Sequence, residues 1–227
     1  MVRGLIGVAA VIVLVAGIVL VRTALVAAPP PLVNAPPPIS VNSMDVARHL
    51  AAAIRFKTIS YGNGVHDDQK NAQLDAMRAW MEQTYPAFHR TATREIIGKS
   101  LLFTWKGKNP NAKPILLMAH MDVVPVVPGT ARDWSHDPFG GDISDGFVWG
   151  RGAIDDKGCL ITLLDAAERL AQSGFTPERT IMFAFGQDEE VGGSGGNGNM
   201  AKVLAARHIH FAWVLDEGGA ILNEPFP

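Results

Sequence analysis

His120 and five carboxylates, Asp122, Asp155, Glu189, Glu190 and Asp216, sit where short apolar runs end or where a helix is about to begin. His120 and Asp122 follow Ile115–Ala119, Glu189 and Glu190 follow Ile181–Phe185, and Asp216 closes Phe211–Leu215. Brought together without a counterion, such carboxylates repel and raise one another's pKa values. A divalent cation removes that conflict, and His with Asp/Glu is a zinc-type donor set. The set is too large for one tetrahedral site and suits two metals sharing a bridging carboxylate. Two such ions, about 3.5–4 Å apart, can hold an activated water and polarise a carbonyl. In that reading His120 binds metal through one ring nitrogen, and Asp122 accepts the N–H of the other. Asp155 is the candidate bridge. Glu189 and Glu190 divide the labour, since consecutive side chains on extended backbone point opposite ways. One binds metal while the other takes a proton from the activated water.

These groups need a scaffold that delivers them to one place. The three apolar runs are nearly continuous rather than alternating, as in strands buried on both faces. Between the first two, Lys157 to Gln172 reads as a helix with Leu160, Leu163, Leu164, Ala167 and Leu170 on one stripe and Gly174 as its C-cap. A shorter helix, about Asn199 to Ala206, precedes the last strand. Upstream, Ser43 reads as the N-cap of a helix through about Phe56. A second helix covers Asp68 to Thr84, and Ile96 to Trp105 forms a strand or part of a hairpin. Strands alternating with helices predict an α/β layered domain. In open α/β sheets ligands bind at the carboxyl ends of the strands, and the polar groups cluster there.

The runs LLMAHMDVVP (116–125), GRGAIDDKG (150–158), GQDEEVGG (186–193) and VLDEGG (214–219) resemble, in order, the metal motifs of the aminoacylase and carboxypeptidase S family of two-zinc peptidases. The likeness covers roughly residues 43–227. It is greatest to carboxypeptidase S and the secreted N-acyl amino acid hydrolases, which share the LDEGG ending. It implies a three-layer α/β catalytic domain, like that of zinc aminopeptidases, with a mixed, largely parallel sheet. It implies that His120, Asp155 and Asp216 bind one or both zincs and that Glu190 binds the other. Asp155 is then the bridge, with a cis peptide bond to Asp156, Glu189 the general base, and Asp122 the residue that orients His120. Two zinc ions per complete site are implied, with cobalt or manganese as substitutes. The implied substrate is a small peptide or an N-acyl amino acid, cleaved at the amide next to a free carboxylate.

The family adds a further His ligand and a smaller lid domain that often dimerises. This chain ends at Pro227, eleven residues past Asp216, and His49, His66, His89, His136, His208 and His210 sit in no matching motif. The expectation is a C-terminally truncated catalytic domain, dimeric only where the absent domain is present. The alternative is an anchored, catalytically incomplete domain that binds metal without turnover.

Gly4 to Val21 are 18 consecutive apolar or glycine positions, edged by Arg3 and Arg22. That length is at the lower limit for crossing a bilayer and long for the core of a cleaved signal peptide. Val26-Ala27-Ala28 offers a cleavage site, but Pro29 follows it directly. An uncleaved anchor is the favoured reading and a cleaved, secreted form the alternative; both export the rest of the chain. Six prolines between residues 28 and 38 make a stiff linker. The organisation is then an anchor at 1–28, a linker at 29–42 and the catalytic part at 43–227. A net charge of −2 without a basic stripe points to no nucleic-acid partner. The single cysteine, Cys159, excludes an intrachain disulfide and is expected within helix packing, and Trp134, Phe139 and Trp149 are expected to pack the loops. Gly193 to Gly198 matches the dinucleotide pattern GxGxxG. The helix after it is too short for a standard βαβ unit, and Glu189 and Glu190 would repel a pyrophosphate.

Overall fold

The computed structural model describes residues 2–25, 40–62 and 67–217, and the chain forms two compact units, Met1–Val41 and Asn42–Pro227. In the first, α1 (Val2–Ala24) is a continuous helix. Its stretch Gly7–Ala24 is long and apolar enough to cross a membrane, and Val8 to Val21 present exposed apolar side chains. Such a helix has no polar face to offer water. The candidate cleavage site Val26–Ala28, the proline-rich linker, and Gly218 and Gly219 of the last motif lie outside the described residues.

The second unit opens with α2 (Ser43–Ile54), whose N-cap is Asn42, one residue before the expected Ser43. Next come α3 (Asp67–Thr84), which buries Leu74, Met77 and Met81 at helical spacing, and α4 (Pro86–Thr91), with proline in its first turn. A hairpin follows, β1 (Thr93–Ile97) with β2 (Ser100–Trp105), then β3 (Ile115–His120). A small two-stranded sheet joins β4 (Asp142–Ser144) to β5 (Phe147–Trp149). The last elements are α5 (Lys157–Gln172), β6 (Ile181–Gly186), α6 (Asn197–Ala206) and β7 (Val214–Leu215). The final strand is shorter than the run Phe211–Leu215, although the Ala212 N–H donates to the Pro114 carbonyl at 2.8 Å just ahead of it and Phe211 packs against the core beside α6.

The main sheet has the order β1-β2-β6-β3-β7. It is mixed, parallel across β6, β3 and β7 and antiparallel across β1, β2 and β6. The hairpin accounts for the antiparallel pairing of β1 with β2, since a short turn can only reverse the chain. Alternate residues of β2 and β6 serve opposite faces. Leu101, Phe103, Trp105, Phe183 and Phe185 pack with α2, α3, α4 and α5, whereas Leu102, Met182 and Ala184 pack with Met200 and Leu204 of α6. Helices on both faces of the sheet make the three-layer α/β arrangement. Glu168 of α5 is buried and accepts the N–H groups of Ala87 (3.1 Å) and Phe88 (2.8 Å), which ties α4 to α5. Gly141, at φ +63°, stands where a Cβ would lie 2.2 Å from the Ala51 carbonyl, so only glycine lets β4 approach α2.

Candidate metal centre

Parallel register sets the site. His120 lies opposite Gly186 and Leu117 opposite Leu215, so β3, β6 and β7 release their chains on one side of the sheet. His120 ends β3 with its side chain 2% exposed. Its Nδ1 lies 3.0 Å from the Asp122 backbone carbonyl and 3.4 Å from Asp122 Oδ1. A carbonyl only accepts, so Nδ1 carries the hydrogen and Nε2 is the free ligand atom. Around Nε2 stand Asp155 Oδ1 at 2.9 Å, Glu217 Oε2 at 3.4 Å and Glu189 Oε2 at 3.8 Å. Burial works against charge on this ring. Hydrogen bonds to Asp122 and Asp155, with the charge of Asp122 and Asp156, outweigh it and carry the pKa up to about 10. Without metal, a proton therefore takes the position that a cation can occupy.

Asp122 is fully buried and organises the neighbouring loops. Its carboxylate accepts the Ser60 hydroxyl at 2.6 Å and the N–H groups of Glu189 at 3.0 Å and Glu190 at 3.4 Å. Burial raises its pKa, but the bonds to His120 and Ser60 more than offset this and hold it below the ordinary carboxylate value. Ser60 arrives through a parallel bridge between Ile59 and Val123. The expected orienting role on His120 is thus shared: the closer contact is the Asp122 carbonyl, while its carboxylate grips the turn that carries the two glutamates.

Two donor groups meet at His120. One is His120, Asp155 and Glu190; the other is His120, Asp156 and Glu217; in each, the donor atoms lie within 4.8 Å of one another. The peptide bond between Asp155 and Asp156 is cis, as the resemblance implies. Asp156 also accepts the His120 backbone N–H at 3.1 Å. Burial, then the charge of nearby carboxylates, raises the pKa of Asp156, Glu190 and Glu217. This is the electrostatic conflict that a divalent cation relieves, and one buried imidazole with several converging carboxylates fits such an ion. Glu189 belongs to neither group, and its side chain is 43% exposed. Asp216 also lies outside both groups. It is exposed, and its carboxylate accepts the Glu217 N–H at 2.9 Å. Glu217, the next residue, reaches the histidine although its side chain is 33% exposed.

Cys159 corrects its expectation. It is exposed rather than packed within the helices, and its thiol bonds to Asp156. Burial and that carboxylate push the thiol up to about 12. Lys157, given no role by the sequence, is fully buried. Its Nζ donates to the carbonyls of Ala53 (3.0 Å) and Phe56 (2.6 Å), fastening the end of α2 to the start of α5. Burial lowers its pKa to about 7, against the pull of Asp122. Asp156 and Glu217 were legible as neighbours of singled-out residues, whereas nothing local marks Ser60.

The Gly193–Gly198 turn binds an anion of its own. Asp188 accepts the N–H groups of Gly195 and Gly196, each at 2.8 Å. A Cβ on Gly196 would lie 2.4 Å from that carboxylate. The helix that follows, α6, has only 10 residues. The dinucleotide pattern is thus filled by a side chain of the protein itself.

Residues 116–226 match the model of peptidase family M20/M25/M40. The chain is 41% identical over 191 residues to probable carboxypeptidase S-like 2 of Dictyostelium discoideum, covering 83% of this chain and 36% of that protein. It is 35% identical over 181 residues to the N-fatty-acyl-amino acid synthase/hydrolase PM20D1 of Mus musculus, covering 78% of this chain and 35% of that protein. Among solved structures, human carnosine dipeptidase 1 shares the fold with a TM-score of 0.66 at 18% identity, over 80% of this chain and 40% of that one. The chain thus spans about a third of the length of the curated relatives it matches.

Proposed function

Residues 116–226 belong to peptidase family M20/M25/M40, and from that premise we propose that the chain carries the metal-binding part of a hydrolase that cleaves an amide next to a free carboxylate. The relatives support this class of bond, one being named a carboxypeptidase S-like protein and another an N-fatty-acyl-amino acid synthase/hydrolase. The observation that carries the reading is the convergence of Asp155, Glu190, Asp156 and Glu217 on His120, where the parallel strands end.

The cation is zinc, two per complete site. A bound zinc lowers the pKa of water to about 7 and polarises the scissile carbonyl. The protein's own residues do the rest. His120 presents Nε2 because its Nδ1–H is engaged by Asp122. Asp155 and Glu190 supply carboxylates, with Asp216 as a further ligand. Glu189, outside both donor groups but 3.8 Å from His120 Nε2, accepts a proton from water and returns it to the leaving amine. Asp122 holds the backbone of both glutamates, so the ligand and the base keep a constant separation. We further assign α1 as the membrane anchor, with the second unit on the exported side.

The test compares the chain with its Glu189→Gln variant, measuring bound zinc and hydrolysis of N-acyl amino acids. The variant should keep its zinc and lose about 10²–10⁴ in rate. Unchanged activity would remove Glu189 as the base, and a stoichiometry near zero would remove the metal site. Zinc binding with no hydrolysis by the parent chain selects the alternative reading, a metal-binding domain that does not turn over by itself.

A further inference from the structure

Beside the metal centre lies a cavity of about 530 Å³ that Asp155 shares with Trp134, Phe147, Trp149, Arg151 and Ile154. Its walls are unusual for a surface next to so many charges. Phe147 is 65% exposed and Ile154 84% exposed, although each has apolar neighbours around the same cavity. Exposed apolar groups that line a concavity next to reactive polar ones mark a binding surface rather than a packing accident. Trp149 is held rigidly as part of that wall. His136 stacks on it with ring centroids 4.5 Å apart, and its indole N–H donates to the Ser144 carbonyl at 3.2 Å. His136 is in turn fixed by Asp142 at 3.1 Å.

The one cation in this wall is Arg151. Its guanidinium lies 5.2 Å from the centroid of the Trp134 ring. Among the described residues it forms no ion pair with a carboxylate, and its buried Nε has no hydrogen-bond partner. A guanidinium held against an aromatic face, with donors unspent, is preorganised for a planar two-oxygen anion. Asp155, the carboxylate that lines the same cavity, is turned to His120 at 2.9 Å.

We propose that this cavity receives the amino-acid half of the substrate, with Arg151 binding the free carboxylate and the Trp149–Phe147 wall packing an apolar side chain. The inference rests on the amide-hydrolase reading for the identity of that carboxylate, and it adds the residue that recognises it and a preference for apolar over small or charged side chains. Arg151 acts on the substrate by charge-assisted hydrogen bonds, and Asp155 at the cavity's edge places the scissile amide next to His120.

Calorimetric titration of the full chain with N-acetyl-L-leucine, its carboxamide and N-acetylglycine tests this. The acid should bind the parent chain on the order of tenfold or more tighter than the carboxamide. Arg151→Met should shrink that ratio to about twofold or less while bound zinc stays unchanged, and Arg151→Lys should restore part of it. Phe147→Ala, at an exposed position that does not endanger folding, should cut the leucine-over-glycine preference about threefold or more and leave the acid preference intact. Equal binding of acid and carboxamide by the parent chain overturns the proposal, as does discrimination that survives in Arg151→Met or a leucine preference indifferent to Phe147→Ala. If zinc binding or hydrolysis fails while the Arg151-dependent acid preference holds, the hydrolase reading fails and the carboxylate site stands.

Discussion

Asp122 has its acceptor capacity committed to Ser60, Glu189 and Glu190, while its own carbonyl takes the His120 ring N–H. Replacing it with asparagine keeps the shape but turns one oxygen into a donor that faces backbone N–H groups or a hydroxyl. Asp122→Asn should therefore lower zinc affinity about 10–100-fold, measured by competition with a chelator, because groups behind the ligands carry that much of the binding. A second residue-scale effect lies away from the metal. Burial pulls the His89 imidazole below its ordinary value of 6.5, against the opposing bond from Nδ1 to the Tyr85 carbonyl. The folded state then holds this proton less tightly than the unfolded state. The contribution of His89 is whole above about 6.5 and is lost as the pH falls through the lower folded pKa. His89→Phe, which keeps the ring among Phe88 and Phe103, should flatten the loss of stability seen by urea denaturation below that pH.

At the scale of elements, the loops are held by side chains that reach backbone groups far away in sequence. Lys157 fastens α2 to α5, Glu168 caps α4, and Asp188 gathers the glycine turn before α6. Asp188 also precedes the turn that bears Glu189 and Glu190. Asp188→Ala leaves two N–H groups without their acceptor and should cost about 1–3 kcal/mol in thermal denaturation. The elements themselves were largely readable from local sequence. Lys157–Gln172 has the bounds its apolar stripe indicates, and two of the three apolar runs are buried strands, whereas the third is exposed and forms a strand only at Val214–Leu215. Long-range ties such as Ser60 to Asp122 were not readable, since a lone serine in a loop has no periodicity to reveal its partner.

For the whole molecule, the separation into Met1–Val41 and Asn42–Pro227 gives a direct expectation. Removing residues 1–41 should leave the melting temperature of the second unit within about 1–2 °C, since none of the described residues among them enters its core. It should also abolish recovery with membranes on fractionation if α1 is the anchor. Sequence by itself determined the α/β class, the apolar N-terminal helix and the set of segments that meet at the centre, because each follows from short-range residue patterns and strand-end motifs. Tertiary structure decided how the members of each acidic pair are disposed about His120. Asp155 and Asp156 enter different donor groups, and Glu217 rather than Asp216 approaches the ring. Adjacent side chains leave the backbone in different directions, so the choice between two neighbouring carboxylates depends on the path of the loop through space. That path is set by contacts with distant residues, which the local sequence does not name.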